Sequence, residues 1–492
     1  MFELGSLRRT LSQAKPPTMA LAIGVGLATI GAAIGLMLAL IGPLYTGALL
    51  VALAGAIWIM ARLENALWGI IGIIALLPFA TLPFKIVLTP TFLDLAMAAA
   101  LFLYIGQWMS GERRRLATTP VHPFVALFIV LSVFSFVAGL RYAGLTSTVL
   151  RRFAELVVSM AFALVLVDIL RTPEQLRRLV TVIILAGTAA ALLGIGLWLM
   201  PDSLAEGVLA RLAVVGYPNS GIIQYIEQNP ELPERAISTS VNPNSLGGLL
   251  VMVAALAAPQ LMAHAPLTGR RWHAIPILAI LVSCLVLTFS RGSMAAFGAA
   301  LLFVALLRYR KIAAVLAIIA LVLFVLPWSQ PYLQRFVEGL QGTDLATQMR
   351  LGEYSDALTL IRRYPLFGVG FSGAPDIDIY LGVSSVYLTI AENMGLLGLG
   401  AFLALTIAVF AYAWRARYCL DQAPSLGPVW LGLLAGLVGA LVGGILDHYF
   451  FNLEFHHAVT IFWVFVGLAL AATRIMLEEP EHHISTDKRE DR

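Results

Sequence analysis

The residues able to do chemistry in this chain are a few arginines with polar neighbours, set where apolar segments end. Arg291 lies in Thr288-Phe289-Ser290-Arg291-Gly292-Ser293, between two apolar segments with almost no loop. A charge at that position must snorkel, face a cavity or bind something. Guanidinium is a planar fork of donors suited to phosphate oxygens, and a helix starting near Ser290–Ser293 would aim free backbone N–H groups at the same anion. The alternative is an arginine that anchors a helix end among lipid headgroups. Arg235 opens Arg235-Ala236-Ile237-Ser238-Thr239-Ser240-Val241-Asn242-Pro243-Asn244, which runs into another apolar segment. Asn-Pro-Asn is a turn signal, and Asn244 or Ser245 would cap the next helix. Asn242 and Asn244 are therefore either caps or substrate contacts. Arg211, earlier in the same stretch, is a further candidate for substrate binding.

A second group lies downstream. Arg350 opens a segment with apolar residues near helical spacing (Leu351, Tyr354, Ala357, Leu358, Ile361), which predicts an amphipathic helix on the membrane surface. Arg362-Arg363-Tyr364-Pro365-Leu366-Phe367-Gly368-Val369-Gly370 closes it. Its two arginines suit lipid phosphates, and its glycines suit a tight turn. Then come Ser384-Ser385-Val386-Tyr387-Leu388 and Glu392-Asn393-Met394-Gly395. Ser384 and Glu392 are candidate catalytic groups, and Tyr387 is a candidate substrate contact. Glu392 falls inside an apolar span, where ionisation is costly, so an arginine partner is expected. No GxxxxGK[ST] loop, HExxH or Cys/His zinc spacing occurs, so neither a metal nor a cofactor is expected. Cys284 and Cys419 cannot make a disulfide framework.

These residues must be positioned by a membrane bundle. Of 492 residues, 60% are hydrophobic and 12% charged, against roughly 45–50% and about 25% in soluble domains. Mean hydropathy is +0.88. The apolar residues form blocks near the ~20 needed to cross a bilayer, and the period-two alternation of an outer-membrane barrel is not seen. The fold class expected is all-α, a polytopic transmembrane bundle of about 12–14 spans, with two large extracytoplasmic loops, about 201–244 and 327–383. Spans are placed near 19–42, 44–61, 66–83, 92–110, 122–140, 153–170, 178–200, 245–263, 274–289, 293–308, 312–328, 384–412, 428–447 and 455–475. Residues 1–18 form a cytoplasmic segment before a retained first span, 19–476 a single transmembrane domain, and 477–492 a charged cytoplasmic tail without packed structure. The aromatic and aliphatic residues of the long loops predict packed lids. No internal repeat is evident.

Orientation follows from Lys and Arg. With both termini cytoplasmic, roughly two-thirds of the 32 fall on inside segments, and both long loops lie outside. Arg141, Arg151 and Arg152 go against this pattern. The basic clusters read as topology signals, and no nucleic-acid partner is expected.

Taken in order, these motifs resemble the O-antigen ligase-like superfamily of bacterial envelope glycan enzymes. The resemblance covers Arg211 to Gly398. It rests on an outer-loop Arg before Asn-Pro-Asn, a Ser-Arg-Gly between spans, and a large loop. That loop closes with Arg-Tyr-Pro-Leu-Phe-Gly-Val-Gly and leads to the Tyr-Leu and Glu-Asn-Met-Gly-Leu-Leu-Gly segment. The resemblance implies transfer of a glycan from an undecaprenyl-pyrophosphate carrier to a lipid or glycan acceptor, without a metal, outside the bacterial cytoplasmic (inner) membrane. It also implies that Arg235 and Arg291 hold the donor pyrophosphate, where charge develops as the glycosidic bond breaks. Many ligases carry His-Asn where this chain has Ser384-Ser385, and that His is the proposed base for the acceptor hydroxyl. Serine is no base at neutral pH unless activated, which leaves Glu392, His448, His456 and His457 as substitutes. Other readings are a glycan polymerase of the same superfamily, a protein glycosyltransferase, a transporter or flippase of lipid-linked or anionic glycans, and a non-catalytic member.

Overall fold

The computed structural model of the protein describes residues 16–82, 89–267, 269–309, 341–342, 345–373 and 382–490. The chain divides into two compact units, residues 1–66 and 67–492. In the first, α1 (Pro16–Ala61) is apolar throughout and bends at Gly42, where φ is +79° and Pro43 follows. Helical hydrogen bonding cannot run through that backbone. The two arms, Ile23–Pro43 and Tyr45–Ala61, match the first two expected spans.

After α2 (Leu63–Leu76), the helices are α3 (Phe92–Met109), α4 (His122–Gly139), α5 (Ser147–Ile169), α6 (Pro173–Trp198) and the short α7 (Asp202–Ala210). They continue as α8 (Pro243–Ala257), α9 (Arg271–Leu287), α10 (Arg291–Leu307), α11 (Leu345–Arg363), α12 (Val386–Arg415), α13 (Gly427–Leu446) and α14 (His456–Glu490). Among the described residues, eight helices are long and apolar enough to cross a membrane, and four shorter apolar helices accompany them. The fold is an all-α polytopic bundle. The span expected near 312–328 lies outside the described residues. The 477–492 tail differs from expectation, because the α14 backbone continues as helix to Glu490.

Local chemistry explains the helix starts. Thr91 and Asp94 form a capping box on α3, Thr172 and Gln175 another on α6, and Asn242 and Ser290 cap α8 and α10. The apolar part of α14 is wholly buried and packs along α5 and α13, while α13 also packs on α8 and α10. Small residues permit this closeness: a Cβ on Gly432 would stand 2.7 Å from the Leu256 carbonyl.

α12 is two helices separated at Gly395, where φ is +68° and ψ −172°. The loop after α11 fills the gap by backbone hydrogen bonding. Val369 N–H donates to Glu392 O at 2.9 Å, Gly370 N–H to Asn393 O at 2.9 Å, and Leu396 N–H to Pro365 O at 2.7 Å. Carbonyls and amides orphaned by the break are thereby satisfied, as buried backbone requires. The two glycine-containing motifs explain each other. A Cβ on Gly395 would meet Leu366 backbone at 2.3 Å, and one on Gly368 would meet Glu392 O at 2.4 Å.

The first long loop is a packed lid, as expected. It holds α7, a two-residue hairpin of β1 (Gln224–Tyr225) and β2 (Glu234–Arg235), and a cluster of Leu197, Ala205, Leu209, Ile222 and Ile237. Of the second loop, α11 is longer than expected, and it packs on the bundle through part of its surface. Ala357 and Leu360 are buried, whereas Leu351 and Leu358 are exposed. The arginines that oppose the charge pattern are matched locally. Arg151 pairs with Asp94 and Glu155, Arg152 with Glu454 at 2.9 Å, and Arg141 lies over the Tyr142 ring. At the other ends of the spans, buried Asp168 joins Arg113 and Arg171.

Candidate functional site

The site is built where the first long loop returns to the bundle. Arg235 ends the hairpin, and the next residue is tied to the end of α9 by Ala236 N–H donating to Leu287 O at 2.8 Å. The guanidinium follows: Nε donates to Thr288 O at 2.8 Å and one Nη to Asn244 Oδ1 at 2.7 Å. Those bonds use two of the five N–H donors of the group. Asn242 has the capping role, its Oδ1 accepting from the amides of Asn244 and Ser245. Asn244 instead orients Arg235.

Thr288 leads directly into Phe289-Ser290-Arg291, so Arg235 is fixed to the turn that carries the second arginine. Phe289 has φ +49° and Val241 has φ +54°. Bulky and β-branched residues rarely adopt that conformation. Such strain persists only where surrounding structure imposes it, and it concentrates at functional sites. Arg291 is the first residue of α10, with Ser290 as N-cap. Ser293 Oγ bonds Ser290 Oγ at 2.9 Å and also engages Tyr449, which packs against Gly248.

Arg350 arrives from α11. Arg350, Arg291 and Asp447 all stand close enough to Arg235 for their charges to act on it. Burial draws the Arg235 guanidinium down to about 10; Asp447 opposes this, and the two arginines reinforce it. Arg235 therefore stays protonated at neutral pH. Among the described residues, the charges that act on Arg235 are two guanidinium groups and one carboxylate, a net positive balance beside the N-terminus of α10 that suits an anion.

The start of α12 adjoins this cluster. Val386 N–H donates to Asp447 O at 3.1 Å, and Tyr354 Oη donates to Ser384 O at 3.2 Å and Ile445 O at 3.3 Å. Ser384 N–H donates to Glu353 Oε2 at 2.9 Å. The structure thus brings together Arg235, Arg291, Arg350, Asn244 and the Ser384 backbone. Tyr387 donates its hydroxyl to Leu441 O at 2.8 Å, a tie between α12 and α13. Glu392 is buried at the break in α12, and no arginine pairs with it among the described residues. The group turned toward its carboxylate is the Gly382 amide. Arg211 is exposed at the end of α7, without a hydrogen bond to the cluster among the described residues. Arg362 is exposed, as a surface charge should be.

Of the histidines, His448 belongs here: its Nδ1 is 3.7 Å from Asp447 Oδ1, and its side chain is 26% exposed. His457 is buried against Ser245 Oγ at 2.8 Å, and His456 faces Asp94 and Glu155. Asp447 and Glu353 went unread in the sequence, and Tyr354 was read only as part of an apolar helix face. An acid directly after the twenty-residue apolar α13 is the one signal that could have marked Asp447.

The fold and this cluster define a multi-pass membrane protein with a basic, anion-suited site at the helix ends. Residues 276–403 match the family described as O-antigen ligase, the superfamily that the motifs resemble. The matched segment runs from α9 into α12 and takes in Arg291, Arg350, Ser384, Tyr387 and Glu392; Arg235 lies before it. This match supports a membrane glycan-processing function of the ligase or glycosyltransferase type. The chain matches none of the curated proteins.

Proposed function

We propose that this protein transfers a glycan from an undecaprenyl-pyrophosphate donor to a hydroxyl acceptor at the outer face of the bacterial cytoplasmic membrane. The observation that carries this reading is the convergence of Arg235, Arg291 and Arg350 at the α10 N-terminus, within and beside the O-antigen ligase-like segment. The acceptor oxygen attacks the anomeric carbon, and the bond from that carbon to the pyrophosphate oxygen breaks. The departing pyrophosphate keeps the electron pair. Fixed guanidinium groups stabilise that charge with little reorganisation.

The hydroxyl proton needs an acceptor, and His448 with Asp447 supplies one. Hydrogen bonding between Val386 and Asp447 puts this pair next to Ser384, the position where related ligases carry histidine. A neutral imidazole can take a proton from an attacking hydroxyl, and a carboxylate beside it can orient the ring. His448 would thus do from the end of α13 what Ser384 cannot do from the start of α12.

The test is transfer of a labelled glycan from the lipid pyrophosphate by purified protein in liposomes, for wild type and for Arg235→Ala, Arg291→Ala and Arg350→Ala. The expected result is a product of changed mass with wild type and little or none with the variants, at equal protein accumulation. Labelled donor crossing the bilayer with unchanged mass would replace the ligase reading with transport. Full activity in Arg235→Ala and Arg291→Ala would end the pyrophosphate-clamp idea.

A further inference from the structure

A second polar cluster joins the starts of α3 and α14 to the third turn of α5. Asp94 Oδ2 accepts Thr91 N–H at 2.7 Å and faces Arg151 at 3.5 Å, while Glu155 Oε1 takes Arg151 directly. Each carboxylate thus has one oxygen held by a donor. The opposite oxygens, Asp94 Oδ1 and Glu155 Oε2, point to His456 Nδ1 at 3.5 Å and 3.9 Å. His456 is 8% exposed, and neither ring nitrogen has a hydrogen-bond partner among the described residues.

These spacings are too long for good hydrogen bonds. They suit ligands around an ion. Metal–ligand bonds of 2.0–2.2 Å in tetrahedral geometry set neighbouring ligand atoms ~3.4 Å apart. The three ligand atoms here all lie within 4.8 Å of one another. Donors that hold the outer oxygens of ligating carboxylates are the usual support of such a site. Charge points the same way. Two carboxylates meet one guanidinium, with Glu155 7% and His456 8% exposed, so one more positive charge is called for. Asp94 is 21% exposed, leaving access for a water as a fourth ligand.

We propose that Asp94, Glu155 and His456 bind a first-row divalent cation, which fastens α3, α5 and α14 together. Mixed imidazole and carboxylate ligands fit Zn²⁺ or Mn²⁺. The rival occupant is a proton shared by the two carboxylates, which are close enough to bond to each other.

Full-length protein in detergent, loaded with Zn²⁺ and desalted, is compared with Glu155→Gln and His456→Asn by elemental analysis. A Co²⁺-loaded sample is examined by visible absorption. The expected result is about one equivalent of Zn²⁺ in wild type and none in either variant. Wild type should also show ligand-field bands with Co²⁺ and lose thermal stability on chelation. Zn²⁺ retention equal to that of Glu155→Gln, or no retention with a Tm indifferent to chelator, overturns the proposal and leaves the proton. Should the variants fail to fold, the Co²⁺ spectrum and chelator response of wild type decide alone.

Discussion

The arginine cluster and the Asp94–Glu155–His456 cluster sit at the two ends of one short connection, with Asp447 and His448 at its start and His456 at its end. They are built in opposite ways. The arginines are held by irregular backbone: a hairpin, a carbonyl at the end of α9, and strained Val241 and Phe289. The acidic cluster rests on helices, and none of its three residues has positive φ. Strained backbone costs of order 1–3 kcal/mol per residue, a cost that suits donors pre-aimed at a charge that comes and goes. Regular helices holding opposed charges suit a charge that stays. On the proposed function the basic cluster is the place for turnover, and on the proposed cation site the acidic one is the place for stability.

The comparison breaks most readily at the arginines. Arg291→Ala and Arg235→Ala should each lower transfer by about a thousandfold, with accumulation and Tm near wild type. Lysine should restore only part of the activity, since it lacks the planar fork. An Arg291→Ala protein that unfolds while retaining its specific activity would reverse the assignment.

His448→Ala should cost about a hundredfold in transfer. Adding Ser384→His to that variant should recover part of the rate, because the Val386–Asp447 hydrogen bond makes the two positions neighbours. An unchanged rate in His448→Ala would move the base elsewhere.

On the acidic side the readout is stability. Arg151→Met leaves two mostly buried carboxylates facing each other, and loss of one partner from a buried pair costs about 3 kcal/mol. Chemical denaturation in detergent should show that loss. Transfer by the folded fraction should hardly change. A rate loss as large as that of the arginine variants would erase the distinction between the clusters.

Much of this was legible in the sequence, and what was not has a common cause. Spans follow from hydropathy because a bilayer demands continuous apolar helix; Arg235 and Arg291 showed as charges at span ends, and Arg350 as the charge that opens an amphipathic segment. Hydropathy is blind to helix continuity, so the break at Gly395 read as one unbroken span. Only the hydrogen bonds from Val369, Gly370 and Leu396 explain why Gly-Val-Gly and Glu-Asn-Met-Gly belong together. Glu392 looked like half of an ion pair because a buried acid in a span usually is one. Asp94, Glu155 and His456 lie in three distant segments, and no local spacing announces them. Asn244 read as a cap or a substrate contact; the cap is Asn242, and the bond of Asn244 to Arg235 exists only in three dimensions.

The smallest expected effect bears on the charge excess of the basic cluster. Glu234 precedes Arg235 in β2, and burial, aided by Asp202, raises its carboxyl to about 7. The folded chain then binds this proton more tightly than the unfolded chain. The resulting stabilisation is complete below the ordinary value of 4.5 and is lost as pH rises through about 7. Tm should fall slightly between pH 5 and 8 in wild type and less in Glu234→Gln; the group is partly exposed, so the difference is small. The sign matters more than the size. If Glu234→Gln removed a gain in stability with rising pH, Glu234 would be ionised and paired with Arg235. The basic cluster would then have spent part of the excess charge that sets it apart from the acidic one.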